Sequence, residues 1–486
     1  MSLVQTRHPA PVVDRPAISP FALPVLLVGT VLMVLDFFIV NVALPSIQVE
    51  LHAGSAALEW VVAGYGLTLA VFLVTAGRIG DRVGRRRVFC AGVAVFTAAS
   101  AACGLAPDPV VLVAARLAQG VGAAMIAPTV LGLIGAFYAG ERRARAIGAY
   151  ATVMGVAAAS GQLLGGGLLA LDVAGLGWRL VFLVNVPVGL FALAAAPRCI
   201  PESRAAIVTR VDVAGLVLLT LALTALVLPL VDGRSAGWPA WTLASLAAAP
   251  ALLGLFVGQQ RALSRRGQAP LLPPELLRSR TVRAGLACQL GFWAGQASYF
   301  LVLGLALQLG RGLSPLASGL VFTIMAGSYL VASMAAPAIV RRYGGRATVV
   351  AGASGLALGH AITLATWVAT GMHGPVLALA PGLVVTGTGM GLCLGPIAAT
   401  VLASATSEQA GALSGVLSTV QQVGSAVGVA LIGLVFFSAA DAGYGPAFTE
   451  SLAVLAGLLG AVAASARFLP GRAVLRSSGT AQPARA

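Results

Sequence analysis

Long apolar runs broken by short polar or turn-forming stretches make up nearly the whole of this chain. Fourteen can be marked, at 21–46, 57–77, 88–106, 109–137, 146–170, 178–197, 211–231, 240–260, 283–309, 315–340, 347–369, 375–403, 410–437 and 447–469. As α-helices rising 1.5 Å per residue, they are long enough to cross a hydrocarbon core of about 30 Å. Glycine, proline and charged residues punctuate them. The pattern predicts an all-α polytopic membrane protein of fourteen transmembrane helices, with both ends of the chain on one side.

The few charges orient these spans. Arginines fall in the even-numbered connections and the two tails, except Arg116 within a span and Arg179, Arg234 and Arg311 on the opposite side. The acids Glu50, Glu59, Asp108, Asp172, Asp232, Asp441 and Glu450 lie on that opposite side. By the positive-inside rule the arginine-rich side, with both termini, is cytoplasmic.

Composition narrows the class further. Hydrophobic residues make up 58% of the chain, charged residues 9%, and mean hydropathy is +0.95, well beyond a soluble globular protein. A net charge of +15 suggests nucleic acid in a soluble chain, but here the basic residues sit in turns between spans, so nucleic-acid binding is excluded. All 30 basic residues are arginine, which points to a GC-rich, bacterial source. Without lysine no Walker-type phosphate loop exists, so no nucleotide or other cofactor is expected. Cys90, Cys103, Cys199, Cys288 and Cys393 show no metal-binding spacing, and neither a metal site nor a disulfide is expected. No cluster of His, Asp and Glu suggests catalysis, so no catalytic residue is assigned. Residues 1–20 carry Arg7, Asp14, Arg15 and four prolines, unlike a cleavable signal.

The densest block of charge, Gly77-Arg78-Ile79-Gly80-Asp81-Arg82-Val83-Gly84-Arg85-Arg86-Arg87-Val88, reads as a tight cytoplasmic hairpin between two spans. Its arginines fix topology; Asp81 has no topological use, and is free to pair with a basic neighbour or sit at a helix N-terminus. Shifting the chain by 260 lays Arg82, Gly84 and Arg86 over Arg342, Gly344 and Arg346, while the acid has no counterpart. Such a repeat divides the chain into a tail at 1–20, a six-helix bundle at 21–197, two inserted helices with linkers at 198–282, a second six-helix bundle at 283–469 and a tail at 470–486.

The charged block fills every position of G-x-x-x-D-R-x-G-R-R/K and so resembles the signature loop of the major facilitator superfamily. That resemblance implies a cytoplasmic latch formed by Gly77, Asp81, Arg82, Gly84, Arg85 and Arg86. Three further stretches are similar to the fourteen-span drug:proton antiporters of that superfamily: Leu35-Asp36-Phe37-Phe38-Ile39-Val40-Asn41-Val42-Ala43-Leu44-Pro45, Arg116 to Ala124, and Trp178 to Gly189. Two positions depart from the branch. Phe38 replaces its usual threonine, and Gln162 replaces the proline of its fifth-span antiporter motif.

Two charges lie inside spans by this reading. An ionised carboxylate in hydrocarbon is costly, so Asp36 should face a cavity, be paired or be neutral, the properties of a proton carrier. At 1.5 Å per residue, Asp36 lies roughly 18 Å from the cytoplasmic side and Arg116 roughly 20 Å, so the pair is a candidate for proton coupling; a static salt bridge that specifies packing is the plainer alternative. Asn41, Tyr65, Gln296, His360, Gln421 and Gln422 are candidates to line a substrate cavity, each also explicable as an interhelical hydrogen bond. Ala157, Gly161 and Gly165 form a small-residue stripe for close packing or gating, and Pro128 and Pro396 are candidate kinks.

The expected function is proton-driven export of small hydrophobic compounds, such as antibiotics, by alternating access. The partners are the solute, protons and the lipid bilayer of the cell membrane, and a monomer suffices. The alternatives are a proton-coupled importer and a non-transporting sensor or assembly protein.

Overall fold

The computed structural model describes residues 19–204, 212–268, 270–404 and 407–470; almost all of both tails lies outside this range. The described residues form helices joined by short turns. In chain order these are α1 (Ala22–Glu50), α2 (Ser55–Val83), α3 (Arg85–Gly104), α4 (Pro109–Phe137), α5 (Gly140–Leu171), α6 (Leu180–Leu183), α7 (Asn185–Cys199), α8 (Val213–Asp232), α9 (Ala240–Arg265), α10 (Arg280–Leu305), α11 (Pro315–Tyr343), α12 (Gly345–Thr370), α13 (Ala380–Leu402), α14 (Ser407–Ala439) and α15 (Tyr444–Ala466). α6 and α7 follow one another in a single span, Gly177–Cys199. Thirteen described helices are long and apolar enough to cross a membrane, and α5, which is bent, makes fourteen.

Helix starts follow local chemistry. Asp108 and Ser314 each cap a helix whose first residue is proline, accepting from the amides of Val111 at 2.9 Å and Ala317 at 3.2 Å. Asp212 caps α8 in the same manner, accepting from Gly215 at 2.8 Å.

The first bundle packs α1 on α5 and α7, α2 on α4, and α3 on α4 and α7. The second repeats the arrangement, with α10 on α14 and α15, α11 on α13, and α12 on α13 and α15. The bundles meet along two long seams, α2 with α14 and α5 with α11. The inserted helices α8 and α9 pack on each other, and α8 lies along both α2 and α14.

The charged block is almost wholly helical, and the hairpin is a tight turn between two helices. α2 continues to Val83 and α3 starts at Arg85, leaving Gly84 as the single residue between them at φ +130°. A residue with a Cβ is strained there, and the carboxylate of Glu202 occupies the space where that Cβ would go. Gly344, the repeat counterpart, makes the same one-residue turn at φ +90°.

α5 bends by 44° between Glu141–Ala158 and Ser160–Leu171 although Gln162 stands in place of proline. The Ser160 hydroxyl donates back to the Val156 carbonyl at 2.8 Å, a local bond that favours bending. The predicted small-residue stripe faces α1. A Cβ added at Gly161 would lie 2.8 Å from the Phe38 Cβ, and one at Gly165 would lie 2.9 Å from Ile39.

Replacing Gly84 by Ala should destabilise the protein by about 1–3 kcal/mol through backbone strain alone. Gly148→Ala, at a helical position with open space around it, should be neutral or stabilising by up to about 1 kcal/mol. Thermal unfolding of the two purified variants in detergent checks the contrast.

Candidate functional site

Asp36 and Arg116 meet inside the first bundle. Both side chains are fully buried, and Nη1 of Arg116 lies 2.5 Å from Oδ2 of Asp36. Depth along separate helices thus translates into contact. Three neutral side chains complete the cluster. Gln119, one turn beyond Arg116 on α4, accepts from Arg116 Nη1 at 2.7 Å and donates to Asp36 Oδ1 at 2.8 Å. Asn185, at the start of α7, donates to the same Oδ1 at 2.9 Å. Ser100 of α3 accepts from both amides, at 2.8 Å from Gln119 and 3.4 Å from Asn185.

Arg116 is fixed from other directions as well. Its Nε donates to the Val61 carbonyl at 2.8 Å, and its guanidinium lies 4.5 Å from the Tyr65 ring centroid. The Tyr65 hydroxyl donates to the Met33 carbonyl at 3.0 Å. Tyr65 therefore supports the ion pair within the bundle and does not face a central cavity.

This arrangement has a specific chemical consequence. Oδ1 of Asp36 accepts two amide N–H groups, while Oδ2 receives the arginine N–H. A proton on Asp36 removes its charge and weakens the charge-assisted bond to Arg116, so protonation favours separation of the pair. A static pair would keep the same bonds in every state; a proton carrier would exchange them.

The other sequence candidates lie apart. Asn41 donates within α1, to the carbonyls of Phe37 at 3.3 Å and Phe38 at 3.2 Å. His360 is buried inside the second bundle, with Nδ1 2.7 Å from the Leu356 carbonyl and its ring 4.3 Å from that of Tyr299. Gln296 is also buried there, with neither side-chain polar atom hydrogen-bonded. Gln421 accepts from Gln289 at 3.5 Å, and Gln422 is part-buried on α14 near the α2 seam. Pro128 of α4 packs against Gly77 of α2. These residues do not form one wall, because position along a helix leaves rotation about its axis undetermined.

A small apolar cavity does open between the bundles, where α5 meets α10, α11 and α13. Phe300, Phe322, Met325, Tyr329 and Met390 line it together with Gln162, whose carboxamide is buried and unpaired. Its volume of about 20 Å³ holds a single water. Phe300 stacks on Phe322 with centroids 5.4 Å apart, and Phe38, two residues beyond Asp36, meets Phe300 edge-on at 5.1 Å.

At the arginine-rich face, Asp81 pairs with Arg85 at 2.8 Å, and Arg85 donates to the Gly132 carbonyl at the end of α4 at 3.2 Å. Glu202, beyond α7, accepts from the Arg86 amide at 3.0 Å and lies 3.8 Å from the side chains of Arg86 and Arg87. Arg82 is exposed. The bonds described here join parts of the first bundle to one another. Glu202 had no sequence signal beyond being an acid on the arginine-rich side.

Glu59 also departs from expectation. It lies within α2 and is only 2% exposed, so Asp36 is not alone among acids inside a span.

Residues 26–429 match the profile of the Major Facilitator Superfamily. The probable actinorhodin transporter of Streptomyces coelicolor is 39% identical over 416 residues, covering 86% of this chain and 72% of the relative. The multidrug resistance protein Stp of Mycobacterium tuberculosis is 34% identical, covering 84% and 74%. The tetracenomycin C resistance and export protein of Streptomyces glaucescens is 33% identical, covering 85% and 74%. Among solved structures, the POT family transporter PepTSo shares the fold at a TM-score of 0.69 and 14% identity, covering 96% of this chain and 99% of its own. With two like-packed bundles and a sequence match through most of their length, this chain belongs to the Major Facilitator Superfamily.

Proposed function

We propose that the protein is a proton-coupled exporter of small hydrophobic compounds, of the drug:proton antiporter branch, with the arginine-rich face in the cytoplasm. The observation that carries the coupling is the buried Asp36–Arg116 pair, with both donors to Oδ1 neutral and oriented. The direction of transport is supported by relatives named for export or resistance.

Alternating access rests on the two bundles parting at one end while meeting at the other. In this conformation they approach closely at the acidic face. A Cβ on Gly166 would lie 2.5 Å from the Pro315 carbonyl, and Gln308 donates across to the Val42 carbonyl at 3.1 Å. These contacts support a conformation closed at the acidic face.

The route from proton to solute is short. Asp36 reaches into the first bundle, and Phe38 on the same stretch of α1 forms an aromatic contact with the cavity wall across the seam. Separation of Asp36 from Arg116 changes the bonding that positions this part of α1. The 20 Å³ cavity is the contracted form of the solute site, and binding requires α5 and α11 to move apart. Its lining is aromatic and uncharged, which suits a neutral, zwitterionic or singly charged compound.

In proteoliposomes with an imposed pH gradient, hydrophobic antibiotics and dyes should drive proton movement through the wild type. Asp36→Asn should abolish it while leaving solute binding, read by quenching of tryptophan fluorescence, in place. Proton movement unchanged in Asp36→Asn would remove Asp36 from the coupling role. Separately, Gln119→Leu should destabilise the protein by about 1–3 kcal/mol by stripping a donor from buried Oδ1. Because Gln119 and Asn185 serve the same oxygen, the cost of the double replacement with Asn185→Leu should differ from the sum by about 0.5 kcal/mol or more, measured as a double-mutant cycle of unfolding.

A further inference from the structure

Glu59 occupies an unusual place. It lies near the acidic-face end of α2, yet its side chain enters the seam with α14 of the other bundle. A Cβ added to Gly433 of α14 would lie 2.5 Å from Glu59 Oε2, so the carboxyl group rests directly against that glycine. Oε2 is buried and has no hydrogen-bond partner. α8 covers the seam by packing on both α2 and α14, which separates this end of it from lipid.

Two charged groups lie near Glu59, Arg234 attracting its ionised form and Asp232 repelling it, and each bonds to another residue. Asp232, at the end of α8, accepts from the Trp60 indole at 3.2 Å on both oxygens. Arg234, in the turn after α8, donates to the Ser55 hydroxyl at 2.7 Å. Among the described residues, no ion pair to Glu59 is formed. α14 brings no titratable group to this stretch, since residues 421–439 contain none.

An ionised carboxylate with an unsatisfied oxygen is unfavourable in a closed seam, and a proton removes that cost. Once α2 and α14 part, the same group meets water and its ionised form is solvated. We propose that Glu59 is a second proton-binding site, in which proton uptake favours closure of the acidic-face end of the α2–α14 seam and proton loss favours its opening. In the export cycle proposed above, on which this placement rests, Glu59 takes its proton from outside after solute release and carries it through closure.

The test reads the separation of the two bundles at their acidic-face ends and needs neither solute nor a gradient, so it stands whatever becomes of the export reading. Leu171 and Leu316, exposed at the acidic-face ends of α5 and α11, belong to different bundles. Both are replaced by spin-labelled cysteine in the full chain, with Cys90 and Cys199 changed to alanine, and pulsed dipolar distances are recorded in nanodiscs from acid to alkaline pH. The wild type should move from short to long distances as pH rises. Glu59→Gln, a permanently neutral mimic, should stay short throughout, and Glu59→Asp should keep a pH response. Asp36→Asn should also keep it. A wild-type distance that ignores pH, a Gln variant that opens like the wild type, or a response lost in Asp36→Asn with Glu59 intact would each overturn the proposal.

Discussion

Hydrocarbon offers no water to a polar group, so every charge within a span must find its partners inside the protein. The Asp36–Arg116 pair is where this constraint is felt most. Bonding it takes residues from four helices of the first bundle, Asp36 of α1, Ser100 of α3, Arg116 and Gln119 of α4, and Asn185 of α7. A carbonyl and an aromatic face from α2 complete the arginine's surroundings. The cluster thus fixes how five helices sit around one carboxyl group. The second bundle holds buried polar groups of its own, His360 and Gln296 among them, but no buried ion pair among the described residues.

That asymmetry suits a machine in which one half binds the ion and the other contributes a wall. A charge pair has two distinct bonding states, with and without a proton, whereas an aromatic wall mainly changes shape. Phe38 links the two, because the α1 segment that carries Asp36 also reaches Phe300 across the seam. Small residues at 161 and 165 let α5 approach this same segment closely, so displacement of α1 acts directly on a seam helix.

Much of this was legible in the sequence. Span number, the repeat and the shared depth of Asp36 and Arg116 all follow from counting along helices, since rise per residue is fixed. What counting cannot supply is direction around the axis. Tyr65 and Gln296 therefore carry the expected depth but face bundle interiors, and Gln119 and Asn185 stood within recognisable stretches without any sign that they turned towards Asp36. Glu59 shows the same limit near a helix end, where a shift of a few residues separates a surface acid from a buried one. The bend in α5 coincides with a serine bonding to its own helix and occurs without a proline. The charged block reads as a tight hairpin, and one glycine is enough to turn the chain between its two helices.

The inserted helices are tied to α2 at both ends. Trp60 holds Asp232 at one, and at the other Arg78 donates to the Pro270 carbonyl at 2.5 Å. α8 and α9 are thus ballast bonded through side chains to α2 and, through α8, packed on α14 of the second bundle as well, between the halves in space as in sequence. The molecule has two flanks where bundle meets bundle, and this ballast screens the α2–α14 flank. The α5–α11 flank has no such cover among the described helices, and the aromatic cavity lies immediately behind it.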